Sequence, residues 1–364
     1  MSAASSSPTS APSATAPAAP EPAAAPPRGR AAGRGRGGAR QATVVLLGVV
    51  ALLGGIAASM TLGAVHVPLA DVWDSLTGQA EDGPLKKIIL DLRLPRTVDA
   101  IVVGAALGVA GALLQGALGN PLASPDVIGV TAGAGFGAVL ILLVFPSSIA
   151  LLPLGALLFG SLAAVIVFGI AWTGANAGSI GRLILAGIAV QAMFGAMTTS
   201  IMVGFSDRVQ SAVFWLAGGL TSEGWAEMEV AWPYFLVGGI VAVVLIRPLD
   251  RLALGDEVAE SLGARPRMIR LGAAVAAALL ASAAAALAGL LTFLGLVVPH
   301  VVRLAGGSHS HRFVVPTSAL FGAALLLLGD TLARVAFAPI ELPVGPFMVI
   351  LGVPLFLWLL RRAV

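Results

Sequence analysis

The chain has 364 residues, 58% of them hydrophobic and 11% charged, with a formal net charge of +3. Soluble domains carry about 25% charged residues, so this composition excludes an ordinary soluble protein and indicates an integral membrane one. There is no cysteine, which excludes disulfides, thiolate metal sites and cysteine nucleophiles.

Met1 to Arg40 is low in complexity: Ala, Pro and Ser come first, then Arg28, Arg30, Arg34, Arg36 and Arg40 among glycines. Such a segment cannot bury enough apolar surface to offset its ordering entropy, so residues 1–41 are expected to form a disordered Ala/Pro/Arg-rich tail. The apolar run that follows is long and no cleavage site closes it. The tail therefore reads as the cytoplasmic flank of a first span, not as a signal peptide.

A span needs about 20 mostly apolar residues. Residues 42–364 offer ten: Thr43–Val65, Pro95–Ala117, Asp126–Phe145, Ile149–Trp172, Ile180–Gly204, Ala231–Pro248, Met268–Ala288, Leu290–Ala305, Val314–Phe337 and Val344–Arg361. The run from Leu271 to Val302 is too long for one crossing at about 1.5 Å per residue, and its break is expected near Gly289. With the tail inside and the spans alternating, most Lys and Arg fall on the inner side, as the positive-inside rule requires. Both termini are then cytoplasmic. Acidic residues such as Asp71, Asp74, Glu223, Glu227 and Glu229 collect outside.

Small residues recur at four-residue spacing in the second and third spans, at Gly104, Gly108, Gly129, Gly133 and Gly137. In lipid that spacing lets helix backbones approach closely. Between the two spans the chain breaks at Asn120-Pro121 and Ser124-Pro125. Gln115, Gln191 and Thr198 are the polar residues of the span centres, and no carboxylate is expected there. The polar interval at about 250–266 is the longest inner loop between spans. Within it Gly255, Ala259, Leu262 and Gly263 fit a short helix closed by Gly263. That segment reads either as a solvated connector or as a contact for another subunit. Asp330 and Arg334, at i and i+4, either neutralise each other or do functional work at a membrane end. His300, His309 and His311 have no carboxylate cluster beside them, and no metal or other cofactor is expected. No G-x-x-x-x-G-K-[ST] occurs, so the chain does not bind ATP in the P-loop manner. The basic residues sit at the ends of apolar runs, and nucleic acid is not an expected partner.

Three stretches carry a resemblance. The first runs RLPR, GAALGVAGALLQ and NPLASPDVIG between Arg93 and Gly129. The second is the G-x-x-x-A-x-x-L-G of the 250–266 interval. The third runs FLGLVVPHVVR, VPTSALFGA, D-x-x-x-R, ELPVG and GVP-x-F from Phe293 onward. In this order they resemble the iron-chelate and cobalamin permeases of ABC importers, over most of residues 90–364. Gly119 stands where many relatives carry a basic residue.

The resemblance implies an all-α, polytopic membrane fold with about ten transmembrane helices, of the type II ABC importer permease kind. It implies a transport subunit and not an enzyme, placed in the bacterial cytoplasmic membrane. Its expected partners are a second permease subunit, two cytoplasmic ATPase subunits, an extracytoplasmic substrate-binding protein and a ferric siderophore. Transport would be ATP-driven alternating access. The phrases SPDVIG and WLAGGLTSEGW resemble permeases for catecholate-type chelates, with haem and cobalamin as alternatives. A secondary transporter or channel without an ATPase is the reading from another class. By the same resemblance, Arg93, Arg96, Arg334 and Glu341 would dock the binding protein. Gly255, Glu257, Ala259, Leu262 and Gly263 would couple to the ATPase. Gly104, Gly108, Gln115, Asn120, Pro121, Gly129 and Gly133 would shape helix packing and the path.

Overall fold

The computed structural model describes residues 33–63, 65–173, 179–220, 225–336 and 341–363. The first 32 residues of the expected tail, and Glu223 of the expected outer acidic group, lie outside the described residues.

Helix α1 runs Gly33–Thr61. The end of the stretch expected as tail is therefore helical, because the first span continues backward past its apolar core. Two short helices, α2 (Leu69–Leu76) and α3 (Pro84–Lys87), lead through a π-helical turn at Ile88–Arg93 into α4 (Leu94–Leu118). Gly119 ends α4 in the left-handed region at φ +58°, a conformation that suits glycine. Helix α5 (Val130–Val139) extends by a π turn to Val144. Then come α6 (Leu152–Ala171), α7 (Ile180–Gly204), α8 (Val209–Ala217) and α9 (Ala226–Leu252). The six-residue α10 (Asp256–Ser261) precedes α11 (Pro266–Ala288), α12 (Leu294–Gly306), α13 (His311–Ala336) and α14 (Val344–Ala363). No strand occurs among the described residues.

Each expected span falls on a helix, and among the described residues seven helices are long and apolar enough to cross a membrane. Two shorter apolar helices, Val130–Val144 and Leu294–Gly306, fall on the third and eighth expected spans, and the 20 residues of α14 cover the tenth. The third and eighth expected spans lose length for identifiable reasons. A 3-10 turn at Pro125–Ile128 uses the residues expected to begin the third. The chain breaks at Gly289 as expected, at φ +62°, but the eighth helix begins only at Leu294. Its 13 residues reach about 20 Å, short of a hydrocarbon core of about 30 Å.

Helices α4 and α11 lie at the centre: 72% and 78% of their most apolar windows are buried, against 22% for α9. Helix α4 packs chiefly on α13 and α11, with α12 and α9 beside it. The glycines explain how. A Cβ on Gly104 would collide with the Gly322 carbonyl and lie 2.9 Å from Ala323 Cα; one on Gly108 would collide with the Ser318 carbonyl. One turn on, a Cβ on Gly111 would strike the backbone of Gly295 in α12. In α5, Gly133 and Gly137 meet the carbonyls of Phe159 and Gly155 in α6 in the same way. Gly129 adopts φ +73° at the start of α5.

Gly104→Leu should therefore separate α4 from α13 and destabilise the purified protein by about 2–3 kcal/mol. Gly54→Leu, on α1 where nothing lies within 4 Å of the added Cβ, should leave the thermal midpoint unchanged. Equal midpoints for the two variants would contradict this packing.

Candidate functional site: two polar ends of one helical pair

Helices α4 and α13 run antiparallel, so the start of α4 lies beside the end of α13. Here Arg96 donates Nη2–H and Nε–H to the two oxygens of Asp330, at 2.9 and 3.1 Å. Its Nη1 donates to Glu341 at 2.9 Å. Arg334 Nε stands 3.2 Å from the same Asp330, one helical turn away. Asp330 is 2% exposed and Glu341 is 56% exposed. One buried carboxylate thus lies between two guanidiniums, and Arg96 bridges it to a carboxylate at the surface.

The expected docking residues separate into two groups. Arg93 and Arg334 are buried. Arg93 Nη1 donates to the Met60 carbonyl at 2.6 Å, and its Nη2 to the Val65 carbonyl. It thereby satisfies one acceptor in the last turn of α1, which helix geometry leaves open, and one in the loop that follows. Arg334 donates to Ser59 Oγ at 3.1 Å, and Ser59 is hydrogen-bonded to Thr97 at 2.8 Å. These two arginines fasten α1 to α4 and α13. Only Arg96 and Glu341 reach the surface. An open cavity of about 650 Å³ adjoins them, lined also by Phe214, Trp215, Leu220 and Glu227.

At the opposite end of the bundle lies α10. Gly255 before it takes φ +98° and Gly263 after it φ +75°, so both positions favour glycine. The Gly263 amide bonds to Glu260 O and the Ala264 amide to Ala259 O, at 2.9 Å each. Those bonds close the helix. Helix α9 extends to Leu252, so the free segment is shorter than the expected 250–266. Ala259 faces inward and is fully buried; Leu254, Val258 and Leu262 are exposed, and so is Glu257. Val258 and Leu262 are four apart on and just after the helix, and with Leu254 before Gly255 they leave three apolar side chains of this segment uncovered.

Gln115 and Asn120 hold the other end of α4. Gln115 donates to the Leu296 carbonyl of α12 at 3.1 Å and accepts from Arg303. Asn120 Oδ1 accepts the Leu122 amide at 2.9 Å, fixing the turn around Pro121. Sequence reasoning missed two ion pairs at this end. Asp250 of α9 accepts the His311 amide at 2.6 Å and the Ser310 hydroxyl at 3.1 Å, capping α13 from outside. Arg270 of α11 forks onto Asp256 at 2.7 and 2.9 Å. No periodic signal marks either pair, because the partners lie on different helices.

Among the described residues Asp99 and Asp330 are buried and Asp126 is partly so. Asp99 is in the second turn of α4, near the middle of the continuous helical run Pro84–Leu118; Asp330 is in the last two turns of α13, and Asp126 is in the 3-10 turn, where its carbonyl accepts from Gln191.

Asp330→Asn leaves the guanidiniums of Arg96 and buried Arg334 without their shared charge. It should destabilise the protein by about 3–5 kcal/mol. Glu341→Gln removes a half-exposed partner and should cost under about 1 kcal/mol. Thermal unfolding of the two variants in one detergent checks the order. A milder effect of Asp330→Asn than of Glu341→Gln would show that Asp330 is not the anchor of this cluster.

The chain was compared with known families and structures. The model of the FecCD transport family matches residues 41–362. The Fe(3+)-citrate import system permease protein YfmE of Bacillus subtilis (strain 168) is 38% identical, over 83% of this chain and 90% of that protein. The hemin transport system permease protein HmuU of Yersinia pestis is 39% identical, over 88% and 94%. The cobalamin import system permease protein BtuC of Halobacterium salinarum is 37% identical, over 88% of each. A solved metal-chelate type ABC transporter in an inward-facing conformation superposes with a TM-score of 0.78 at 27% identity, covering 88% of this chain and 99% of that one. The resemblance first carried by RLPR, NPLASPDVIG and VVPHVVR thus extends along the membrane part of the chain, which belongs to the FecCD transport family of ABC importer permeases.

Proposed function

We propose that this chain is the membrane subunit of an ATP-driven importer of a ferric siderophore of the catecholate type. It works with a second permease subunit, two cytoplasmic ATPases and an extracytoplasmic binding protein. The observation that carries the reading is the pairing of two different polar ends on one family-matched bundle. One end presents α10 between two glycines, with Leu254, Val258 and Leu262 exposed on the segment. The other presents Arg96 and Glu341 beside an open cavity. Uncovered apolar side chains at a membrane end mark a protein contact, and the ATPase is the occupant in this reading, with Gly255, Glu257, Ala259, Leu262 and Gly263 forming the coupling element.

Docking of the binding protein falls to Arg96 and Glu341, since these reach the surface. Arg93 and Arg334 act behind them by fixing the helices that hold Arg96. Guanidinium grips carboxylate with a planar fork, and such rim pairs set encounter rate and register more than affinity. The catecholate preference draws on the SPDVIG and WLAGGLTSEGW phrases. It also draws on the Phe214 and Trp215 walls of the outer cavity, whose faces suit flat aromatic rings. Relatives of this chain include proteins named for iron citrate, iron hydroxamate, hemin and cobalamin, so the cargo is the part to test first.

The test is uptake in a deletion strain and its complemented parent. The panel comprises a ferric catecholate siderophore, a ferric hydroxamate, ferric citrate, haemin and cobalamin. Loss of catecholate uptake alone, by at least about tenfold, is expected, with Arg96→Glu in the complementing copy lowering it again. Loss of another compound and not the catecholate would overturn the cargo. Normal uptake of all five would overturn the transport role.

A further inference from the structure

Arg270 of α11 joins α10 and α4. It lies in the first turns of α11. Its Nη atoms fork onto Asp256, the first residue of α10, at 2.9 and 2.7 Å. Its Nε donates to the carbonyl of Ala117, in the last turn of α4, at 3.2 Å. That carbonyl is among those a helix leaves without an internal partner, so the bond fills an open acceptor. One planar group therefore ties α10 to the end of α4, with its donors pointing in fixed directions.

What α4 does next gives the contact its meaning. Its 25 residues form a rod of about 37 Å. The glycine contacts with α13 hold it along its length, and Arg96 stands at its far end. A push on α10 at one face is thus carried by Arg270 to a buried helix that ends among the surface pair at the other. Beside the clasp lies a cavity of about 710 Å³ lined by Gly255, Arg270, Gln115 and Arg303, which gives α10 room to shift. Asp256 is half exposed, and a pair of that kind contributes at most about 1 kcal/mol to stability. Holding the fold together is therefore a poor explanation for so specific a bracket.

We infer that Arg270 is a positioning residue that transmits movement of the α10 segment to α4, and so couples ATP hydrolysis to opening of the path. The inference rests on the reading of α10 as the ATPase contact. Glu257 and Leu262 would touch the ATPase, whereas Arg270 acts only through Asp256 and Ala117.

The experiment uses the complete permease–ATPase complex in proteoliposomes, with its binding protein and whichever of the five panel compounds the wild type carries. It reads molecules imported per ATP hydrolysed. Arg270→Gln should assemble, keep hydrolysing ATP and lower that ratio at least about tenfold. Arg270→Lys keeps the charge toward Asp256 but cannot fork and reach Ala117 O together, so it should also lower the ratio. Asp256→Asn, which leaves Arg270 in place, should lower it by a smaller factor. A wild-type ratio in Arg270→Lys would show that charge alone matters and would overturn the bracket. If Arg270→Gln fails to assemble, Asp256→Asn decides: a wild-type ratio there overturns the proposal. A separate arm tests the reading beneath it. The chain has no cysteine, so Leu262→Cys offers a single crosslinking site. Failure to crosslink to the ATPase subunit would reject α10 as the contact, whatever the Arg270 variants do.

Discussion

The structure depends on how closely α4 approaches its neighbours. Lipid tails are as apolar as leucine, so burying apolar area gives little drive for membrane helices to associate. Contact at short range has to supply it. At Gly104, Gly108 and Gly111 the backbones of α13 and α12 stand where a side chain would otherwise be. That approach makes α4 a central, buried element and fixes its register against α13. The register in turn sets Arg96 against Asp330 at one end. The opposite end meets α12 through Gln115 and α11 through Arg270.

The two ends use charge differently. At the Arg96 end the charges are buried and shared. Asp330 serves two arginines, and Arg93 is spent on the carbonyls of α1. Breaking one member of such a cluster strands the others, so it resists deformation. At the α10 end Asp256, paired with Arg270, is half exposed, so that pair is weaker and easier to rearrange. A rigid end and a compliant end joined by a packed helical pair suit a subunit that passes movement from one membrane face to the other.

Much of this was legible in the residues. The four-residue glycine spacing pointed to close backbone approach, and the break at Gly289 and the stop at Gly263 followed from the helix-ending role of glycine. Other features were not. Hydropathy finds apolar stretches but does not show where a helix starts, and the third and eighth stretches form helices of 15 and 13 residues. It also places an arginine at a span end without saying which way it points. Arg93 and Arg334 looked like rim residues, and both turn inward, because their acceptors come from α1, more than 25 residues away for Arg93 and more than 250 for Arg334. The Asp256–Arg270 pair spans a turn between two helices, where neither the 3.6-residue period nor any motif links the partners. The φ of +98° at Gly255 is a reason for glycine there that no motif announces.

The central claim is that the α10 segment and the Arg96 cluster face opposite sides of the membrane, with α10 in the cytoplasm. Single cysteines test it directly, because the chain has none of its own. Leu262 and Leu92 are both exposed, at opposite ends of the bundle. The measurement is labelling by a membrane-impermeant maleimide in intact spheroplasts and in inverted membrane vesicles. The account predicts that Leu92→Cys reacts in spheroplasts only and Leu262→Cys in inverted vesicles only. Labelling of both from the same side, or with the two preparations reversed, would contradict it.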